Sequence, residues 1–300
     1  MEIKINNLGK VYPGGKKALS DITLTIEDGM FGLLGPNGAG KSTLMKILVT
    51  LLKPTNGEIF VNGLKLSKHR KEIRSLMGYL PQDFRFFPKL KTWEFLDYAA
   101  SLAGVESVKE RREMVDKMLN EVGLFDVRTR FANKLSGGMK RRLGIAQALI
   151  GYPKIIVVDE PTTGLDPEER IRFRNILSQL TKNEVIVVLS THIVGDISSS
   201  CNQMALINEG ELQFFGAPSD FVEKANGHVW SIDVDYNELQ SVKEKFHVIT
   251  SIPNAENYTL EVVTEGENGI DGFDIKPVSP NLEHAYVYFM ESQTNKERIQ

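Results

Sequence analysis

The stretch Gly35-Pro36-Asn37-Gly38-Ala39-Gly40-Lys41-Ser42 fits the pattern G-x-x-x-x-G-K-[ST]. Its glycines let the main chain wrap closely around an anion, while successive N–H groups and a following helix N-terminus supply positive potential. Lys41 has the reach for the β- and γ-phosphates of a nucleoside triphosphate. The Ser42 hydroxyl is a ligand for Mg²⁺, and Thr43 shares its turn. An acidic pair, Asp159-Glu160, ends the apolar run Ile155-Ile156-Val157-Val158. In a parallel sheet, ligands bind beyond the carboxyl ends of the strands, which places both carboxylates beside the glycine-rich loop. Asp159 would hold Mg²⁺ and Glu160 would act as general base on the attacking water. A surface lysine on a glycine turn and a salt-bridged strand end are the bland readings, and the pairing of the two motifs weighs against both.

These residues need a scaffold, and the hydrophobic pattern supplies one. Residues 2–26 alternate apolar and polar positions and read as strands, and 31–34 is a short apolar strand leading into the loop. A helix is expected over about 41–52, then strands at 58–61 and 77–80. From 92 to 150 the pattern is helical, with Thr92 as the expected N-cap of the first helix and 110–122 as a second. Strand and helix alternate again at 155–158, 167–180 and 185–189, the signature of a parallel sheet covered by helices. A hairpin at 204–207 and 212–215 turns at Glu209-Gly210. Beyond 226, strands near 228–234, 246–251 and 258–263 and a helix at 281–291 read as a small α+β appendage. The fold class is therefore α/β, with a mostly helical insert at about 84–150.

Composition narrows the classes. Hydrophobic residues are 41% and charged residues 25%, with a formal net charge of -3, the balance of an ordinary globular protein and unfavourable to broad nucleic-acid binding. One cysteine, Cys201, leaves no intrachain disulfide framework. The opening residues do not read as a signal peptide, and no apolar run approaches the roughly 20 residues of a membrane helix. A guanine-reading N-K-x-D motif is broken at Asn133-Lys134-Leu135-Ser136, which favours ATP.

Leu135-Ser136-Gly137-Gly138-Met139 resembles the LSGGQ signature of ABC ATPases, and its terminal methionine resembles the type-2 drug and antibiotic exporter group. Ser136 can cap a helix running toward residue 150. Gly137 and Gly138 allow N–H groups to approach a phosphate along the helix dipole. The family implies a head-to-tail dimer, in which Ser136, Gly137 and Gly138 serve the partner's ATP. Other segments follow in the family's order. Gln82 resembles the Q-loop glutamine that touches Mg²⁺ or the attacking water. Asp166, in Thr163-Gly164-Leu165-Asp166, resembles the D-loop residue at the dimer seam. His192, after Ser190-Thr191, resembles the switch histidine of the γ-phosphate. Tyr12 resembles the A-loop aromatic that stacks on adenine.

The resemblance covers about 1–217, implying a P-loop core of mostly parallel sheet with an antiparallel β subdomain. Residues 218–300 form an accessory domain whose Asn281–Tyr286 segment loosely resembles that of drug-exporter ATPases. The implied cofactors are ATP and Mg²⁺. The implied partners are a second ABC ATPase subunit, identical or a paralogue, and transmembrane permease subunits. These would hold the chain on the cytoplasmic face of the cell membrane. Lys140-Arg141-Arg142 reads as a solvated helix face. Phe86, Phe87 and Leu90 are candidates for the permease-docking surface, with core packing as the alternative. A translation or DNA-repair ATPase and a small-molecule kinase are the competing readings. A single cassette, an interval from Gln82 to Ser136 too short for a coiled coil, and the signature weigh against them.

Overall fold

The computed structural model describes residues 1–300 except 88, 182–183, 255–256, 265–272, 274 and 300, and no side chain beyond 292. Contacts divide the chain into two units, Met1–Phe215 and Gly216–Gln300.

In the first unit, β1 (Glu2–Val11), β2 (Lys17–Glu27), β4 (Asn56–Val61) and β5 (Leu64–Lys65) make an antiparallel sheet in the order β2-β1-β4-β5. A second sheet has the order β10-β9-β3-β8-β7-β6. It is built from β3 (Gly29–Leu34), β6 (Met77–Leu80), β7 (Ile155–Asp159), β8 (Ile186–Thr191), β9 (Gln203–Asn208) and β10 (Glu211–Gly216). Its central pairs β9-β3, β3-β8, β8-β7 and β7-β6 are parallel. Every residue of β7 and β8 is buried, as expected of strands covered on both faces. The two-residue side-chain period divides them. Ile155, Val157, Ile186 and Val188 join the core beneath the antiparallel sheet and α1 (Lys41–Leu48). Ile156, Val158, Val187 and Leu189 join the core beneath the helical insert. Each side chain so buried contributes about 1.5–3 kcal/mol, so both walls of the site's floor are anchored.

The insert contains α3 (Thr92–Leu102), α4 (Val108–Glu121) and α5 (Gly137–Leu149), and α6 (Pro167–Leu180) follows β7. Short α2 (Arg70–Ser75) precedes β6, and α7 (Val194–Ser198) follows β8. Two expected boundaries move. Helix α1 ends at Leu48 because Thr50 takes φ 62 and the N–H groups of Leu51 and Leu52 both turn back to the Lys46 carbonyl. Thr92 is the first helical residue, not the cap. Lys91 stands at the cap position, and the Thr92 hydroxyl is spent on the Arg130 carbonyl at 3.0 Å.

The second unit contains α8 (Pro218–Glu223), α9 (Leu239–Lys245) and α10 (Leu282–Ile299) with a four-stranded sheet. Its order is β12-β13-β11-β14, from β11 (Val229–Asp235), β12 (His247–Pro253), β13 (Asn257–Val263) and β14 (Ile275–Pro277). Asn281 caps α10 reciprocally: its side chain accepts the His284 N–H at 2.9 Å, and His284 Nδ1 takes the Asn281 N–H at 3.3 Å. The other His284 nitrogen lies 3.2 Å from Glu261 Oε2, while Leu282 and Ala285 are buried.

Candidate nucleotide site

The loop between β3 and α1 is locally determined. Gly40 has φ 107, and a Cβ there would stand 2.4 Å from the Ala18 carbonyl oxygen, so the final turn into α1 requires glycine. Lys41 then starts the helix at 4% exposure. Its ammonium donates to the carbonyls of Gly35 (2.7 Å) and Pro36 (3.0 Å) and lies 3.4 Å from Glu160 Oε1. Burial lowers the Lys41 pKa, opposed by the charges of Glu160 and Asp159. Ser42 donates to Asp159 Oδ1 at 3.2 Å.

Parallel pairing of β7 with β8 brings the acidic pair beside Ser190-Thr191-His192. The Ser190 hydroxyl, fully buried, donates to Asp159 Oδ1 at 2.5 Å and accepts the Glu160 N–H at 3.1 Å. Glu160 takes φ 46, a left-handed backbone that is costly for a residue with a Cβ and that clusters at functional sites. Its carboxylate, 5% exposed, is surrounded by polar groups. His192 Nδ1 lies 3.1 Å from Oε2, Gln82 Nε2 donates to the same oxygen at 3.3 Å, and the Thr163 hydroxyl does so at 3.3 Å. Gln82 thus turns its amide nitrogen to Glu160 and keeps its carbonyl oxygen for another ligand.

Tyr12 stands at the mouth of the same cleft, 3.3 Å from the Thr43 hydroxyl, with the Lys10 ammonium 5.5 Å from its ring centre. The cleft holds about 350 Å³ and is lined by Tyr12, Lys16, Asn37, Gly38, Lys41, Ser42, Thr43, Gln82 and Glu160 among others, a size that suits a small ligand. The donor set fits Mg²⁺: Ser42 Oγ and the 2%-exposed Asp159 carboxylate offer hard oxygens. Among the described residues no group of three or more His, Cys, Asp or Glu is placed to hold a metal ion by itself.

Ser136, Gly137, Gly138 and Asp166 do not line this cleft. Ser136 and Gly137 are exposed at the start of α5, where the Ser136 hydroxyl accepts the Met139 N–H at 3.2 Å. Gly138 packs on α6, and a Cβ there would fall 2.6 Å from the Glu169 carboxyl carbon. Asp166, also exposed, caps α6 by accepting the Glu169 N–H at 2.9 Å.

One expectation is overturned. Lys140-Arg141-Arg142 is not a solvated face. Arg142 is 4% exposed, donates to the carbonyls of Val122 (2.9 Å) and Gly123 (3.0 Å), and pairs with Glu169. Arg141 donates to four main-chain carbonyls around the cleft, those of Pro81, Gln82, Glu160 and Pro161. A run of basic residues read alone resembles a solvated face. The only signal to the contrary was helical periodicity, which sets Arg142 three and four residues before Ile145 and Ala146 on the buried side of α5. Ser190, Thr162 and Asp196 were also missed. Asp196, 2% exposed, accepts the hydroxyls of Thr162 (2.5 Å) and Thr191 (3.1 Å), tying the segment after Glu160 to the strand end before His192.

Phe86 and Leu90 pack against the insert's core, while Phe87 is 54% exposed and meets Tyr98 edge-on at 5.7 Å. Phe87, Tyr98, Leu102 and Arg85 line a groove of about 580 Å³. Pro88 lies outside the described residues.

The family model for ABC transporter matches residues 19–163. Over 227 residues the chain is 36% identical to the probable multidrug ABC transporter ATP-binding protein YbhF of Escherichia coli, covering 75% of this chain but 39% of that protein. It is 31% identical over 306 residues to the bacitracin transport ATP-binding protein BcrA of Bacillus licheniformis, covering 95% of this chain and 96% of that one. Among solved structures, the dimeric ABC transporter cassette MJ0796 superposes with a TM-score of 0.66 at 29% identity, over 72% of this chain and 98% of that one. A post-hydrolysis state of that cassette bound to ADP and Pi matches with the same TM-score at 28% identity, again over 72% and 98%.

Proposed function

The chain belongs to the family of ABC transporter ATP-binding proteins, and on that premise we propose that it drives an exporter through separate membrane subunits by closing and reopening a two-cassette dimer. As a member of that family it is an ATPase. Among the described residues no helix is long and apolar enough to cross a membrane, which agrees with a separate permease. The export reading is supported by similarity to BcrA along nearly the whole chain, second unit included. The accompanying location is the cytoplasmic face of the membrane, reached through the permease.

The observation that carries the site assignment is the convergence of Lys41, Ser42, Asp159, Glu160, Gln82 and His192 on one cleft. Hydrolysis of a phosphoanhydride is mostly a matter of position and charge. The glycine loop and Lys41 hold the β- and γ-phosphates, and Tyr12 holds the adenine. Ser42 and Asp159, with the Gln82 carbonyl oxygen, hold Mg²⁺, which when bound neutralises charge on the phosphates. Glu160 orients water and accepts its proton, and His192 and Gln82 fix the carboxylate that does so. The exposed start of α5 supplies Ser136, Gly137 and Gly138 to ATP bound by the partner cassette, and Asp166 faces the seam. The groove beside Phe87 and Tyr98 is the docking surface for the permease.

Steady-state turnover tests the assignment. Glu160→Gln should retain ATP affinity and lose about 10²–10⁴-fold in kcat, the usual contribution of a general base. Wild-type turnover by a folded Glu160→Gln protein would refute it.

A further inference from the structure

Arg141 has no part in the functional reading so far, yet from α5 it touches two segments that the reading uses. It stands in the first turns of α5, directly after the Ser136–Met139 capped start. From there its guanidinium reaches back to the sheet. Nε donates to the Pro161 carbonyl at 2.7 Å and Nη2 to the Glu160 carbonyl at 2.8 Å. Nη1 donates to the Gln82 carbonyl at 2.9 Å and more weakly to that of Pro81 at 3.4 Å. A planar fork with five N–H donors can hold several acceptors in fixed relative positions, which a lysine ammonium cannot reproduce. Burial lowers its pKa, opposed by the charges of Asp159, Asp83 and Glu160.

The Glu160 main chain is where such a hold matters. Its φ of 46 lies in the left-handed region, and conformations of this kind persist only where the surroundings determine them. The N–H side of Glu160 is fixed by the Ser190 carbonyl and hydroxyl, both at 3.1 Å. The carbonyl side is fixed by Arg141. Between these anchors the carboxylate is aimed at Lys41, His192 and Gln82.

We infer that Arg141 is a positioning residue that locks the main chain of Glu160-Pro161 and Pro81-Gln82 to the start of α5, setting the aim of the Glu160 carboxylate and the Gln82 side chain. The inference rests on the roles assigned above to Glu160 and Gln82. It adds a consequence: a displacement of the signature end of α5 is passed to the catalytic carboxylate of the same chain.

The test uses the full chain with Arg141→Ala, Arg141→Lys and Glu160→Gln, reading kcat, KM, ATP dissociation constant, thermal midpoint and amide hydrogen exchange. Arg141→Ala is expected to lower kcat on the order of 100-fold, the scale of misplacing a reacting group by about 1 Å, with ATP affinity unchanged. Exchange should quicken at residues 79–84 and 160–166, and Arg141→Lys should fall between. Wild-type kcat in Arg141→Ala, whatever its thermal midpoint, overturns the inference while an inactive Glu160→Gln leaves the underlying reading standing. An active Glu160→Gln removes that reading itself. Should Arg141→Ala fail to fold, wild-type kcat and unchanged exchange at 160–166 in Arg141→Lys overturn it equally.

Discussion

Lys41 Nζ lies 3.4 Å from Glu160 Oε1, and neither side chain is more than 6% exposed. The lysine proposed to bind phosphate and the proposed general base thus hold each other in a buried pair. Removing one partner of such a pair typically costs about 3–5 kcal/mol, because a charge is left buried. Here His192, Gln82 and Thr163 still face Glu160, so Lys41→Ala should fall at the low end of that range in urea unfolding. The same variant should lose most of its affinity in an ATP titration. Tight ATP binding by Lys41→Ala would contradict the cradle assignment.

Tyr12 is proposed to stack on the adenine. Base–aromatic stacking is worth about 1–3 kcal/mol, so Tyr12→Ala should weaken ATP binding by roughly 5- to 150-fold while Tyr12→Trp retains it. Calorimetric titration checks both, and equal affinity in the alanine variant would remove Tyr12 from the site.

Gly138→Ala separates two effects. The new Cβ would stand 2.6 Å from the Glu169 carboxyl carbon, and a glutamate side chain can swing away. Doing so sacrifices its pairing with the buried Arg142. A stability loss of about 1–3 kcal/mol follows from overpacking, together with reduced turnover and unchanged ATP affinity, because Gly138 does not line its own chain's cleft. Chemical denaturation and ATP titration of the same preparation read the two effects apart.

The signature segment shows where sequence is informative and where it is not. Ser136 as cap was legible from residue type alone, since a hydroxyl before a glycine pair has few other uses at that spacing. Likewise the alternating faces of β7 and β8 follow from their unbroken apolar runs. Arg141 and Arg142 were misread because their acceptors are main-chain carbonyls from residues up to 60 positions away, and a carbonyl is invisible in a sequence. Ser190 and Asp196 escaped for a related reason. Their importance comes from parallel strand register and a one-turn helix start, which place them against Asp159, Thr162 and Thr191 only once the sheet is assembled. Helix α9 and strand β14 went unseen too, the one short and strongly polar, the other three residues long.

Cys201 offers a pH test of the core. Burial, and secondarily the charge of Asp196, pushes its thiol from 9.0 up to about 12. A raised folded pKa means that the neutral thiol is favoured in the folded state. The associated stability is complete below pH 9 and is lost as pH rises toward 12. Cys201→Ala should therefore flatten the loss of stability across that interval. At pH 8 the native thiol should react with an aromatic disulfide reagent far more slowly than the urea-unfolded chain. Equal labelling rates would contradict the partly buried placement against the core.

The signature of a second cassette is proposed to complete the cleft. Light scattering after size exclusion on Glu160→Gln, with and without saturating MgATP, tests it most directly. A monomer is expected without nucleotide and a doubling of mass with it. A mass that stays monomeric while ATP is demonstrably bound would contradict the two-cassette sandwich formed by this chain.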